Sequence, residues 1–114
     1  MSFALKTRNV GSVIVFDMSG KLTIGDPVKS LKEGIRGQMD AGARKFVLNL
    51  GDVSYIDSSG LGELVSVYTS VRDKSGDVKL LKLTAKIKDL LQMTKLLTVF
   101  DSYDEESKAL EALR

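Results

Sequence analysis

Neither cysteine nor histidine occurs among the 114 residues. Without thiols there is no disulfide, no thiolate nucleophile and no zinc–thiolate site, and a reducing compartment is compatible with the chain. Without imidazole, the commonest general base, the commonest transition-metal ligand and the usual partner of a nucleophilic serine are all missing. Few small enzymes work without both residues, so neither catalysis nor a cofactor is expected. No apolar run approaches the ~18–20 residues that span a bilayer. The opening MSFALKTRNV holds neither a long apolar stretch nor a cleavage site. A cytoplasmic protein with no membrane partner is expected. The 17 basic and 15 acidic residues are interspersed, and the net charge of +2 forms no stripe or tail. Nothing there points to a nucleic-acid partner.

What is present suits a packed core. Apolar residues make up 43% of the chain and charged residues 28%, ordinary values for a globular domain. The length fits one domain, residues 1–114. Phe3–Thr7 alternates weakly, Asn9–Gly11 signals a turn, and Ser12–Met18 is a β-branched apolar run, which reads as a hairpin. Ser19–Pro27 reads as a loop, with Asp26 as N-cap and Pro27 in the first turn of a helix. Val28, Leu31, Ile35 and Met39 give that helix one apolar face. Lys45–Leu50 reads as a buried strand and Val78–Leu83 as another strand. Between them Leu61, Leu64, Val65, Tyr68 and Val71 share one helical face, with Glu63, Ser66, Ser70 and Arg72 away from it. Thr84 caps a short helix through Ile87, Leu90 and Leu91. Leu97–Phe100 reads as an edge strand, and Ser102–Glu105 as a capping box before a last helix. Lys79 and Lys82 are expected at solvent-facing or edge positions, and Met39 and Met93 in the core. Strands alternating with helices imply an α/β fold with a mostly parallel sheet.

The stretch YIDSSGLGELVSVYTSV, Tyr55–Val71, places Asp57, Ser58, Ser59 and Gly60 just past an apolar strand, at the mouth of a helix. Functional groups gather at such positions in α/β sheets. Two readings compete. A serine there is a favoured N-cap, worth roughly 1 kcal/mol. A phosphoserine there would find unpaired N–H groups and the positive end of the helix dipole already aimed at it. Gly60 and Gly62 leave the backbone open to a partner, or serve close packing of helix on strand.

The segment VLNLGDVSYIDSSGLG, Val47–Gly62, resembles the signature of STAS domains, the anti-sigma factor antagonist family. GKLT at Gly20–Thr23, KLLKLTAKIKDLLQMTKL at Lys79–Leu96 and TVFDSYDEE at Thr98–Glu106 fit as well, so the resemblance covers essentially the whole chain. It implies a four- to five-stranded mixed sheet with about four helices. It also implies partner switching. The unphosphorylated antagonist binds an anti-sigma factor that is a serine kinase, and thereby frees a sigma factor. Phosphorylation releases it, and a metal-dependent serine phosphatase resets it. The phosphorylated position matches Ser58, framed by Asp57, Ser59, Gly60 and Gly62, with Thr23, Ile24, Gly25 and Asp26 as a second docking loop. A monomer or weak dimer is expected.

In one respect the chain departs from the family. Many antagonists carry an aspartate in a G-x-L-D pattern, whereas here Gly20-Lys21-Leu22-Thr23 ends in threonine and the nearest acid is Asp26. Some family members act instead as scaffolds in stress-signalling assemblies or transport complexes. Those in lipid transport often lack the serine, so Ser58 favours the regulated kind. Other classes fit less well. A receiver domain needs an acidic pair after its first strand, and only Asp17 is there. A serine hydrolase lacks its histidine and its G-x-S-x-G elbow. Neither phosphate-binding glycine motif is present.

Overall fold

The computed structural model describes residues 2–114. Along the chain run β1 (Ala4–Val10), β2 (Val13–Leu22), α1 (Asp26–Asp40), β3 (Lys45–Ile56), α2 (Ser58–Asp73), β4 (Asp77–Leu81), α3 (Ala85–Met93), β5 (Ser102–Tyr103) and α4 (Glu106–Ala112). The five strands form one mixed sheet in chain order. β1 is antiparallel to β2, and every later pair is parallel. The α/β class, the mixed five-stranded sheet and the four helices agree with the reading of the sequence.

The near-continuous apolar runs in β2, β3 and β4 are explained by burial on both faces. On one face Phe16, Phe46, Leu48 and Leu80 pack under Leu31 and Ile35 of α1, Leu64, Val67 and Val71 of α2, and Ile87 and Leu91 of α3. On the other, Val13, Val15, Val47 and Leu81 meet Ala109 and Leu113 of α4. Arg8 anchors that small helix, donating from Nη2 to Glu106 at 2.7 Å and pairing with Asp17, which also accepts from Asn49 at 2.8 Å. The guanidinium holds the Asp17 carboxyl below its usual range.

Several elements differ from expectation. β2 runs four residues past Met18 and β3 six past Leu50. Ser19, Gly20, Lys21 and Leu22 pair with Asp52, Val53, Tyr55 and Ile56, across two register shifts that absorb the irregular geometry. Each polar segment supplies the other's hydrogen bonds, which neither shows alone. Asp26 is not the N-cap of α1. Gly25 holds that position at φ 100°, a left-handed conformation suited to glycine, and Asp26 lies in the first turn. The edge strand is Ser102–Tyr103, beside Leu80–Leu81, rather than Leu97–Phe100. Ser102 therefore caps nothing, and Glu105 precedes α4 without a side-chain cap. Thr84 does cap α3, accepting from the Ile87 amide.

Three side chains also move. Met93 is 81% exposed rather than in the core, while Met39 packs against it. Lys79 is only 7% exposed, its ammonium 2.7 Å from Asp101 and 3.0 Å from Asp77, so its charge is buried with partners rather than placed at an edge. Lys82, by contrast, is exposed. Glu63, expected away from the apolar face, is 6% exposed, because α1 covers that side of α2. Burial is the main cause that pushes its carboxyl up; Lys32 and Arg36 only partly oppose it.

The raised Glu63 value has a pH consequence. The folded state holds the proton more tightly than the unfolded chain. The stability linked to that proton is present below the unfolded glutamate range, and is lost as pH rises through the folded value. Glu63→Gln removes the titration, leaving Lys32, Arg36, Asp40 and Lys74 around the site unchanged. Its stability relative to wild type will rise as pH goes from 4 to 7 in denaturant unfolding. A constant difference across that range would show that Glu63 does not titrate this way.

Candidate functional site

Asp57 organises the site. It leaves β3 in extended conformation and caps α2, its Oδ1 accepting from the Gly60 amide at 2.8 Å. The other oxygen, Oδ2, accepts from the Ile24 amide at 3.0 Å, and the Asp57 amide donates to the Leu22 carbonyl at 3.3 Å. The amides of Ile24 and then Gly60 hold the Asp57 carboxyl below its ordinary range. One ionised side chain thus ties the Thr23–Asp26 segment to the start of α2. The two parts of the sequence singled out as candidate docking segments meet at this carboxylate.

This geometry bears on the two readings of the serines. The cap is Asp57, so Ser58 is free of that task. Ser58 is the first residue of α2 and is exposed; Ser59 beside it is half-buried. Gly60 is buried, and a Cβ there would lie 2.1 Å from the Leu22 carbonyl oxygen and 2.9 Å from Ile56 Cγ2. Its role is close packing of α2 on the end of β2. Gly62 is exposed, and a Cβ there would meet nothing within 4 Å. Ile24 is 74% exposed, Gly25 and Asp26 are exposed, and Thr23 is half-buried with its carbonyl accepting from Val28 at 3.3 Å.

An apolar groove adjoins the site and was not read from the sequence. Tyr55, Ile56, Ile87, Leu90 and Met93 line it, between the end of β3 and α3, with Lys86 Nζ 6.0 Å from the centre of the Tyr55 ring. Tyr55, just before Asp57, is partly exposed there, while Tyr68 packs edge-on against Phe100 at 5.3 Å. The missed signal was Met93, which lies six residues past Ile87 and so falls well off the Ile87–Leu91 face that α3 buries.

A family model for the STAS domain matches residues 4–109, and the chain belongs to the STAS-domain family. Among curated relatives, the Anti-sigma F factor antagonist of Paenibacillus polymyxa is 26% identical, covering 99% of this chain and 97% of its own. A crystal structure from Thermotoga maritima shares 27% identity at a TM-score of 0.89, covering 96% of this chain and 94% of its own. The Bacillus anti-sigma factor antagonist SpoIIAA superposes at a TM-score of 0.77 in its unphosphorylated form and 0.76 in its phosphorylated form. Each shares 21% identity over 97% of this chain, with 98% and 100% of SpoIIAA covered. At that identity the likeness is one of fold.

Proposed function

We propose that this chain is an anti-sigma factor antagonist of the bacterial cytoplasm, a binding protein whose affinity for its partner is set by the state of Ser58. In this reading the partner is an anti-sigma factor with serine kinase activity. The unphosphorylated chain sequesters it, phosphorylation of Ser58 releases it, and a metal-dependent phosphatase restores the starting state. One observation carries the reading: the capping duty falls on Asp57, so the Ser58 hydroxyl stands exposed at a helix N-terminus with no part in holding the fold. The curated relative's name and the two states in which SpoIIAA is known support it.

The physics suits a switch. The N-terminus of α2 tolerates added negative charge, since its amides and dipole favour an anion. A docked partner does not, because phosphate brings about −1.5 to −2 charges beside ionised Asp57 and must be desolvated in the interface. The exposed Ile24 on one side and the Tyr55–Met93 groove on the other supply apolar contact area around the hydroxyl. Thr23 stands in place of the more usual acid, and Asp26, Asp57 and the groove's Asp89 are carboxylates of this surface.

The test is phosphate mapping. Incubation with the candidate kinase and Mg·ATP, followed by mass spectrometry, will place a single phosphate on Ser58. Ser58→Ala will take up none and will still bind the kinase. Labelling at Ser59 would move the switch to that residue, and none anywhere would favour the scaffold role known elsewhere in the family.

A further inference from the structure

Between α1 and α2 lies a groove of about 260 Å³, lined by the charged side chains of Lys32, Arg36, Asp40, Glu63 and Lys74 and by apolar Ile35 and Val67. It is smaller than a drug-sized pocket, so a ligand of modest size would fill it. Glu63 sits in it 6% exposed. The ammonium nearest to it, on half-exposed Lys32, stands at 3.6 Å, longer than a hydrogen bond. A buried carboxylate loses solvation that one loose, solvated partner does not return. A group donating short charge-assisted hydrogen bonds to it would.

Charge narrows the ligand class. A simple cation would meet Glu63 but also three basic side chains, Lys32, Arg36 and Lys74, against a single further acid, Asp40. A simple anion would meet the basic side chains but also buried Glu63. A molecule carrying both signs a few bonds apart satisfies both, and a short apolar tail would lie against Met39, the half-buried apolar residue of the lining. We propose that this groove binds a small zwitterion of the free amino acid type, its ammonium on Glu63 and its carboxylate on Arg36. This site shares no residue with the Ser58 surface and does not depend on the switch reading. Both helices nonetheless begin at that surface: α1 follows the Thr23–Asp26 segment, and Ser58 opens α2.

The test is an amide chemical-shift titration of the whole chain with L-leucine and L-methionine, and with 3-methylbutylamine and 4-methylpentanoate as single-charge analogues. At least one amino acid will give saturable shifts concentrated around residues 32–40 and 63–74. Each single-charge analogue will bind more weakly by about tenfold or more, as will the amino acid to Glu63→Gln and Arg36→Gln. Glu63→Gln changes no shape and only one charge, and an unchanged spectrum outside the groove will show that it folds. No saturable shift with either amino acid overturns the proposal. So does equal binding by Glu63→Gln, or binding of 4-methylpentanoate as tight as that of leucine. Shifts centred away from the groove overturn it too.

Discussion

Gly60→Ala will destabilise the fold by about 3 kcal/mol, lowering the thermal midpoint of a chain this size by roughly 10–20 °C. The added methyl would lie 2.1 Å from the Leu22 carbonyl oxygen, a contact no side-chain rotation relieves because the opposing atom is backbone. Either α2 moves off the end of β2, or β2 moves away from α2. Both loosen the Asp57 bonds to Leu22 and Ile24. Alanine's better helix propensity offsets only about 1 kcal/mol of this. Gly62→Ala is the matched control, in the same turn of the same helix. A Cβ there meets nothing within 4 Å, so the propensity gain stands alone and stability will rise by about 0.5–1 kcal/mol. Circular-dichroism melts of the two variants decide the matter. Equal midpoints would mean that Gly60 is not a packing residue.

Ser58→Asp will weaken kinase binding by a hundredfold or more while leaving the melting curve close to wild type. A desolvation and repulsion cost of about 3 kcal/mol in the interface is enough for that factor. The fold is spared because Ser58 makes no cap and sits in solvent at the positive end of α2, where a carboxylate is tolerated or mildly favourable. Calorimetric titration against the kinase, beside a thermal melt, separates the two effects. A variant that binds as well as wild type would refute the switch. A variant that fails to fold would contradict the assignment of the cap to Asp57.

The architecture was largely legible because local patterns announce it. Apolar runs bounded by turn formers became β2, β3 and β4, and the 3.6-residue spacing of Leu31 and Ile35 became the buried stripe of α1. What escaped was set by distant partners. Ser19–Leu22 reads as loop until Asp52–Ile56 is laid beside it. Lys79 reads as an edge lysine until Asp101, 22 residues on, closes over it. Glu63 falls off the apolar face of its own helix, and only the packing of α1 against α2 buries it. At the candidate site, three adjacent residues able to cap a helix left the division of labour open. Backbone direction at the end of β3 settles it, and no pattern of residue types encodes that direction.

That division of labour has an evolutionary side. Positions 57 and 60 are constrained by architecture: one carboxylate spans two backbone segments, and one missing side chain lets a helix touch a strand end. Position 58 carries no such obligation. Under the proposed switch, a single codon change there would erase or restore regulation without touching foldability. On that reading, descendants of this chain would drift between switchable regulators and constitutive binders at almost no structural cost, while Asp57 and Gly60 stay held in place by the fold.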